Sequence, residues 1–122
     1  MKKTKNIAES FYHAGQGLIH CIKYERNIRI HLLMAVIALI LGLVLKINHY
    51  EFLVLFLLIA VVIVSEMINT AIENVVDMIT EDFHPLAKVV KDITAGAVMF
   101  SCLVAVCIGL IIFVPHILEL FK

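Results

Sequence analysis

Three long apolar stretches, separated by short polar segments, dominate the pattern of hydrophobic and polar positions in the chain. They cover residues 28–47, 52–79 and 93–118. A helix needs about 20 apolar residues to cross the hydrocarbon core of a bilayer, so each stretch is long enough. Charges lie near the ends of the first stretch and in the second half of the second, and the third has no formally charged residue. The pattern predicts three membrane-spanning helices.

The N-terminal segment, residues 1–27, has a different pattern. Apolar residues recur at helical spacing among charged ones: Ile7, Phe11, Leu18, Cys21 and Ile22. This spacing favours an amphipathic helix lying on the membrane surface, and the alternative is a helix that packs like one in a soluble protein. We therefore expect residues 1–122 to form one all-α integral membrane domain, with a surface helix and three spanning helices.

Composition supports a membrane protein. The chain is 62% hydrophobic and 16% charged, and its mean hydropathy is +1.03, whereas about 25% of residues are charged in a typical soluble domain. The formal net charge is zero, so nothing indicates a nucleic-acid partner. The three cysteines lack metal-binding spacing and are interpreted as small packing residues.

Basic residues predict the orientation in the membrane. Eight lie before or just inside the first apolar stretch, or in the segment that follows the second: Lys2, Lys3, Lys5, Lys23, Arg26, Arg29, Lys88 and Lys91. Two, Lys46 and Lys122, fall on the other side. Because cytoplasmic loops carry an excess of Lys and Arg, the N-terminus and the second connection are predicted to be cytoplasmic.

A polar stripe interrupts the second apolar stretch at its cytoplasmic half. At about 100° per residue, Glu66, Asn69, Glu73 and Asp77 fall within an arc of less than about 90° on one helix face. Carboxylates are costly in hydrocarbon and usually mark a functional site. Carboxylate oxygens also suit a hard cation such as Mg²⁺.

These residues fit phosphoryl transfer, which needs metal-held phosphates, positive charge on them and a group that positions the attacking hydroxyl. Glu66 lies deepest in the apolar helix and is the candidate general base for a lipid alcohol, with Asn69 to orient it. Glu25 and Glu73 are candidate metal ligands, and Lys91 is a candidate for neutralising phosphate charge. No glycine-rich phosphate loop is present, which excludes the P-loop and protein-kinase classes.

Each assignment has a structural alternative. Glu25 with Arg29, and Lys88 with Asp92, have the i, i+4 spacing of simple helix-surface pairs. Lys91 serves equally well as a topology charge, and the carboxylates of α-helical stripes also form structural networks between helices. The histidines also have two interpretations. His31 and His49 are interpreted as lying at the membrane–water interface, and His13 and His84 are candidates for contact with a ligand.

Beyond these physical arguments, the sequence resembles the small prokaryotic diacylglycerol kinases, a family of membrane enzymes. The resemblance covers almost the whole chain. It rests on Glu66-x-x-Asn69-Thr70-Ala71-Ile72-Glu73-x-x-Val76-Asp77, His84-Pro85-Leu86-Ala87-Lys88, Lys91-Asp92-x-x-Ala95-Gly96-Ala97, His13-Ala14-Gly15-x-Gly17 and Glu25-Arg26-Asn27. Several of these details are similar to the Gram-positive branch, whose members are generally undecaprenol kinases.

The resemblance implies a homotrimer in the bacterial plasma membrane, with active sites shared between subunits and facing the cytoplasm. It implies ATP as co-substrate and Mg²⁺ as cofactor. Glu66 and Asn69 would be catalytic, Glu25 and Glu73 would hold the metal, and Glu66 with Ala95 would contact the lipid. The nucleotide-binding positions it implies are His13, Glu25, Glu73, Asp77, Asp82, Phe83, His84, Lys91 and Asp92.

Two hypotheses from different classes remain at this point. The first is a lipid kinase that phosphorylates undecaprenol, with diacylglycerol as the alternative acceptor. The second is a non-catalytic membrane subunit that binds or conducts cations through the carboxylate stripe. An ion pathway needs polar groups across the whole bilayer, but residues 32–45 and 103–114 have almost none, which favours the kinase.

Overall fold

Four α-helices make up the structure, a computed structural model that describes residues 6–122. They are α1 (Ile7–Tyr24), α2 (Arg26–Val44), α3 (His49–Ile79) and α4 (Pro85–Glu119). The last three are long and apolar enough to cross a membrane. The prediction of an all-helical membrane fold with a separate N-terminal helix is confirmed. Residues 1–5, with three of the basic residues used to predict orientation, lie outside the described part.

The observed helix ends differ from the predicted ones for local reasons. α2 occupies 26–44 instead of 28–47, and α3 begins at His49 instead of residue 52, where Asn48 caps it. α4 differs most from the predicted 93–118: it begins at Pro85, because His84 accepts a hydrogen bond from the Leu86 amide and proline is favoured in a first turn. The polar residues before 93 are thus its first two turns. The helix also continues past Pro115 to Glu119.

An elbow at Glu25 separates α1 from α2. Glu25 has an extended backbone, with φ of −109° and ψ of 109°. The guanidinium of Arg29 donates hydrogen bonds to the carbonyl oxygens of Ile22 (2.9 Å) and Lys23 (2.8 Å). A cation at the exposed carbonyls of a helix C-terminus is favourable. Arg29 therefore holds α1 at the start of α2, and within this chain α1 has no buried residue, as a helix lying along a surface would.

A tight turn reverses the chain between α2 and α3. Lys46 adopts the left-handed conformation (φ 56°), and the amides of Lys46 and Ile47 bond the carbonyls of Leu43 (3.3 Å) and Gly42 (3.1 Å). This is the Schellman arrangement of hydrogen bonds at a helix C-terminus. A Cβ at Gly42 would lie 2.9 Å from Ile47 Cδ1 and 3.0 Å from Phe52, so glycine permits the close return of the chain.

Both helices that meet at this turn bury residues at intervals of seven. On α2 these are Ile28, Ala35 and Gly42, and on α3 they are Leu55, Val62, Asn69 and Val76. A seven-residue repeat keeps one stripe of each helix facing its neighbour along the whole contact. The α3 stripe is apolar at Leu55, Val62 and Val76 and polar at Asn69, near the buried Glu66 and Thr70.

The end of the bundle nearest the α2–α3 turn is fixed by apolar packing and one polar contact. Ile47, Leu55 and Ile112 form its buried cluster. His116 Nε2 lies 2.9 Å from Glu51 Oε1, which connects the end of α4 to the start of α3. The opposite end, where α2 begins, α3 ends and α4 begins, is where the polar residues collect.

Candidate active site

Glu66 is the most deeply buried charged residue among those described. It lies on α3 and is 3% exposed. His31 of α2 approaches it, with Nε2 3.8 Å from Glu66 Oε2. Residues 6–122 donate no hydrogen bond to the Glu66 carboxylate. The His31 imidazole is the polar group of these residues that approaches it. A carboxylate in such surroundings keeps acceptor capacity for a ligand.

Asn69 and Glu73 continue the polar stripe by one and two turns. Asn69 Nδ2 donates to Glu73 Oε1 over 3.3 Å. Asn69 Oδ1 and the hydroxyl of Thr70 are buried and have no hydrogen-bond partner among residues 6–122. Buried polar atoms are rarely left unpaired, so these two indicate a partner that one chain does not supply: a ligand, water or another subunit.

Asp77 joins α3 to the start of α4. Its Oδ1 lies 2.6 Å from Lys91 Nζ, across an interval of 14 residues. The pair places the Lys91 ammonium beside the carboxylate end of the stripe, which a topology charge alone would not require. Asp92, by contrast, pairs with Lys88 one turn earlier at 2.5 Å, as the helix-surface alternative anticipated.

The remaining candidate residues stand around this end of the bundle. Glu25 is half-buried at the α1–α2 elbow and forms no ion pair with Arg29, whose side chain is occupied by α1 carbonyls. Asp82, Phe83 and His84 are exposed in the α3–α4 connection, where His84 caps α4. Their nucleotide contacts stay predictions.

Two candidates, His13 and Ala95, are exposed and make no polar contact with Glu66 in the structure. His13 is exposed on α1, where its Nδ1 lies 3.2 Å from Gln16 Oε1. Ala95 is exposed on α4. Within residues 6–122 no three His, Cys, Asp or Glu side chains cluster closely enough to hold a metal by themselves. A divalent cation here would need further oxygen ligands from phosphate and water, which is the usual way that Mg²⁺ is bound with nucleotides.

An apolar cavity extends from this site between α2, α3 and α4. Its volume is about 360 Å³. His31 and Cys102 line it, and its other lining residues are apolar: Ile30, Met34, Ala35, Ala38, Leu55, Leu58, Ile59, Val62, Ile63, Ala105, Val106, Gly109 and Phe113. The cavity therefore places a hydrocarbon-compatible space directly beside the His31–Glu66 pair.

Sequence reasoning missed three residues of this region: His31, Thr70 and Cys102. His31 was interpreted as interfacial, and the structure adds that it lies on the packed side of α2 between Ile28 and Ala35, where it approaches Glu66. The available signal was the spacing 28, 31, 35, which repeats as a helix-packing stripe. For Thr70 the signal was its position next to Asn69 on the inner side of α3. For Cys102 no sequence signal existed.

Similarity to known proteins identifies the family of this chain. The family model described as prokaryotic diacylglycerol kinase matches residues 12–113. The chain belongs to the prokaryotic diacylglycerol kinase family. Its members are lipid kinases, so the polar end of the bundle belongs to an enzyme of that class, and the cluster is accordingly a candidate active site.

Individual relatives within the family differ in their named acceptor. The undecaprenol kinase of Bacillus subtilis is 42% identical over 109 residues, which is 89% of each chain. The diacylglycerol kinase of Synechocystis is 34% identical over 116 residues, covering 94% of this chain and 66% of the relative. The diacylglycerol kinase of Helicobacter pylori strain J99 is 30% identical over 96 residues, covering 79% and 75%.

The unpaired Thr70 hydroxyl generates a stability prediction. Thr70→Val keeps the side-chain shape and removes a buried hydroxyl whose partner is expected outside residues 6–122, so we expect the unfolding free energy of the assembled protein to fall by about 1 kcal/mol. The matched control is Thr94→Val, because the Thr94 hydroxyl donates to the Lys91 carbonyl at 3.0 Å within its own helix, a contact that adds little to stability. Denaturant titration in detergent micelles measures both. Unchanged or higher stability in Thr70→Val would mean that the hydroxyl has no partner outside this chain.

Proposed function

We propose that this protein is a Mg²⁺-dependent kinase that transfers the γ-phosphate of ATP to the hydroxyl of undecaprenol. The observation that carries the proposal is the buried Glu66 carboxylate beside an apolar cavity, with the charged groups of α3 and α4 on the open side. A lipid alcohol with the hydroxyl-bearing end of its chain in the cavity would present its hydroxyl to that carboxylate. The alternative acceptor of the same class is diacylglycerol, which would give phosphatidic acid.

Glu66 acts as the general base in this proposal. It accepts the proton of the lipid hydroxyl as the oxygen bonds to the γ-phosphorus, and the bond from that phosphorus to the bridging oxygen of ADP breaks. Burial keeps bulk water away from the carboxylate, so the lipid hydroxyl would be the proton donor that it meets. Asn69 lies one turn along, and its Oδ1 has no hydrogen-bond partner among residues 6–122, which leaves it available to a substrate group.

Carboxylates and Lys91 would hold the nucleotide. Glu25 and Glu73 are the proposed Mg²⁺ ligands, since carboxylate oxygens are what a hard cation prefers. Phosphate and water would supply the remaining ligands, because residues 6–122 contain no complete metal cluster. When bound, Mg²⁺ neutralises phosphate charge. Lys91, held by Asp77, is suited to the same task. His13, Asp82, Phe83, His84 and Asp92 are proposed as further nucleotide contacts, and Ala95 as a lipid contact.

Undecaprenol is favoured over diacylglycerol by two considerations. The relative that is 42% identical carries the name undecaprenol kinase, and the relatives named diacylglycerol kinases are 34% and 30% identical. The cavity is lined by aliphatic side chains and one aromatic ring, with few polar groups that would recognise the ester oxygens of a diacylglycerol. The alternative of a cation-binding subunit is less favoured, because an apolar cavity lining offers few oxygen ligands to a cation.

The setting of the reaction is also part of the proposal. The polar end would face the cytoplasm of a bacterial plasma membrane, where ATP is available, in agreement with the distribution of basic residues. A homotrimer would supply what one chain lacks: partners for Asn69 Oδ1 and Thr70, and cover for the exposed charges of α4. α1 would lie along the cytoplasmic membrane surface.

The role of Glu66 is tested by Glu66→Gln, which keeps the size of the side chain but removes its basicity. We expect transfer from labelled ATP to undecaprenol to fall about 10²- to 10⁴-fold, the usual contribution of a general base. Folding should be unaffected, because a buried charge is replaced by a neutral group. The control is Glu119→Gln, an exposed change at the other end of the bundle. Full activity in Glu66→Gln would contradict the assigned role.

The role of Lys91 is tested against its neighbour Lys88. Both are on α4 and both pair with an aspartate, but Lys91 reaches α3 and Lys88 pairs within its own helix. We expect Lys91→Gln to lower kcat/KM for ATP more than tenfold, which is what losing one charged contact to phosphate does, and Lys88→Gln to change it less than about twofold. Steady-state kinetics with varied ATP measures both, and equal effects would refute a specific role for Lys91.

A further inference from the structure

His31 faces inward although its place near the start of an apolar helix suggests a headgroup contact. It lies between Ile28 and Ala35, both of which are buried on the face of α2 that packs against α3. Its side chain is 19% exposed, and it lines the apolar cavity. An imidazole in this position loses hydration, so a specific polar partner is needed to offset the cost.

That partner is Glu66, and the pair is isolated from other cations. His31 Nε2 lies 3.8 Å from Glu66 Oε2. The nearest basic residue on α2, Arg29, has its guanidinium on the α1 carbonyls. On α3, Glu73 binds the Asn69 amide, and on α4 the titratable group that lines the cavity is Cys102. Among residues 6–122, the imidazole is therefore the one side-chain donor that approaches the Glu66 carboxylate.

We infer that His31 is a positioning residue for the general base, with Nε2 directed at Glu66 Oε2 so that Oε1 is left for the lipid hydroxyl. The inference rests on the proposed function of Glu66. A separation of 3.8 Å is longer than a hydrogen bond, and a small rotation of either side chain closes it when the site is occupied. His31 itself takes no proton in the reaction, because the proton of the hydroxyl goes to Glu66.

The chemistry of imidazole suits this task. A neutral imidazole with a proton on Nε2 donates to a carboxylate without adding a second buried charge. Its donation holds the carboxylate in one orientation.

Three variants separate positioning from packing. Gln places an amide nitrogen near the position of Nε2, Asn places one near Nδ1, and Leu keeps the volume without any donor. We expect His31→Asn and His31→Leu to lower kcat about 10- to 100-fold, which corresponds to losing one hydrogen bond to a charged group. His31→Gln should stay within roughly fivefold of wild type, and KM for ATP should be unchanged in all three.

The assay is phosphate transfer from labelled ATP to undecaprenol in detergent–lipid micelles, with the folded fraction of each variant measured by thermal unfolding. His49→Gln is the matched control, since it makes the same change at an exposed histidine at the other end of the bundle. If His31→Leu does not fold, the comparison of Gln with Asn still decides. Equal kcat for the Gln and Asn variants, or a full wild-type kcat in both, would overturn the positioning role. An inactive wild-type protein would instead refute the proposed function, and the inference with it.

Discussion

Burying the carboxylate of Glu66 within a bundle of apolar helices is the constraint on which the rest of the site depends. A charge in hydrocarbon is unfavourable by several kcal/mol or more unless other groups offset it. Among residues 6–122, the His31 imidazole of α2 is the polar group that approaches this carboxylate, and the neighbouring Asn69 and Thr70 of α3 keep buried polar atoms without partners. Because residues 6–122 offset the buried charge of Glu66 only in part, the site can still bind a polar group from a ligand or another subunit.

The seven-residue repeat of α3 places both packing residues and a polar residue of the site on one side of the helix. The stripe of α3 that contributes Leu55 and Val62 to the interior continues, at intervals of seven, to Asn69. Helix α2 packs against this stripe with Ile28, Ala35 and Gly42. The turn after Gly42 fixes the register of α2 against α3. Rigid packing at one end thus sets the positions of the polar groups at the other, which is how a small chain can hold a site on helices instead of loops.

Much of this organisation could be predicted from the sequence, because it depends on local pattern. Apolar length predicts the spanning helices, and helical periodicity places Glu66, Asn69, Glu73 and Asp77 on one face. The ends of α4 could not be predicted in the same way, since polar first turns and Pro115 look like boundaries. Pairings across helices were also out of reach: Asp77 with Lys91, and His31 with Glu66, depend on how the helices rotate about their axes. For Lys88 with Asp92 the spacing alone was sufficient.

If Glu66 is a buried base beside an aliphatic cavity, the lipid that enters the cavity receives the phosphate. The most direct measurement offers undecaprenol and diacylglycerol together, at equal mole fraction in the same micelles, with labelled ATP and Mg²⁺, and separates the two phosphorylated lipids. We expect label to enter undecaprenyl phosphate preferentially. Label in phosphatidic acid alone would contradict the assignment of the acceptor, and no label in either lipid from a folded protein would contradict the kinase mechanism built on Glu66.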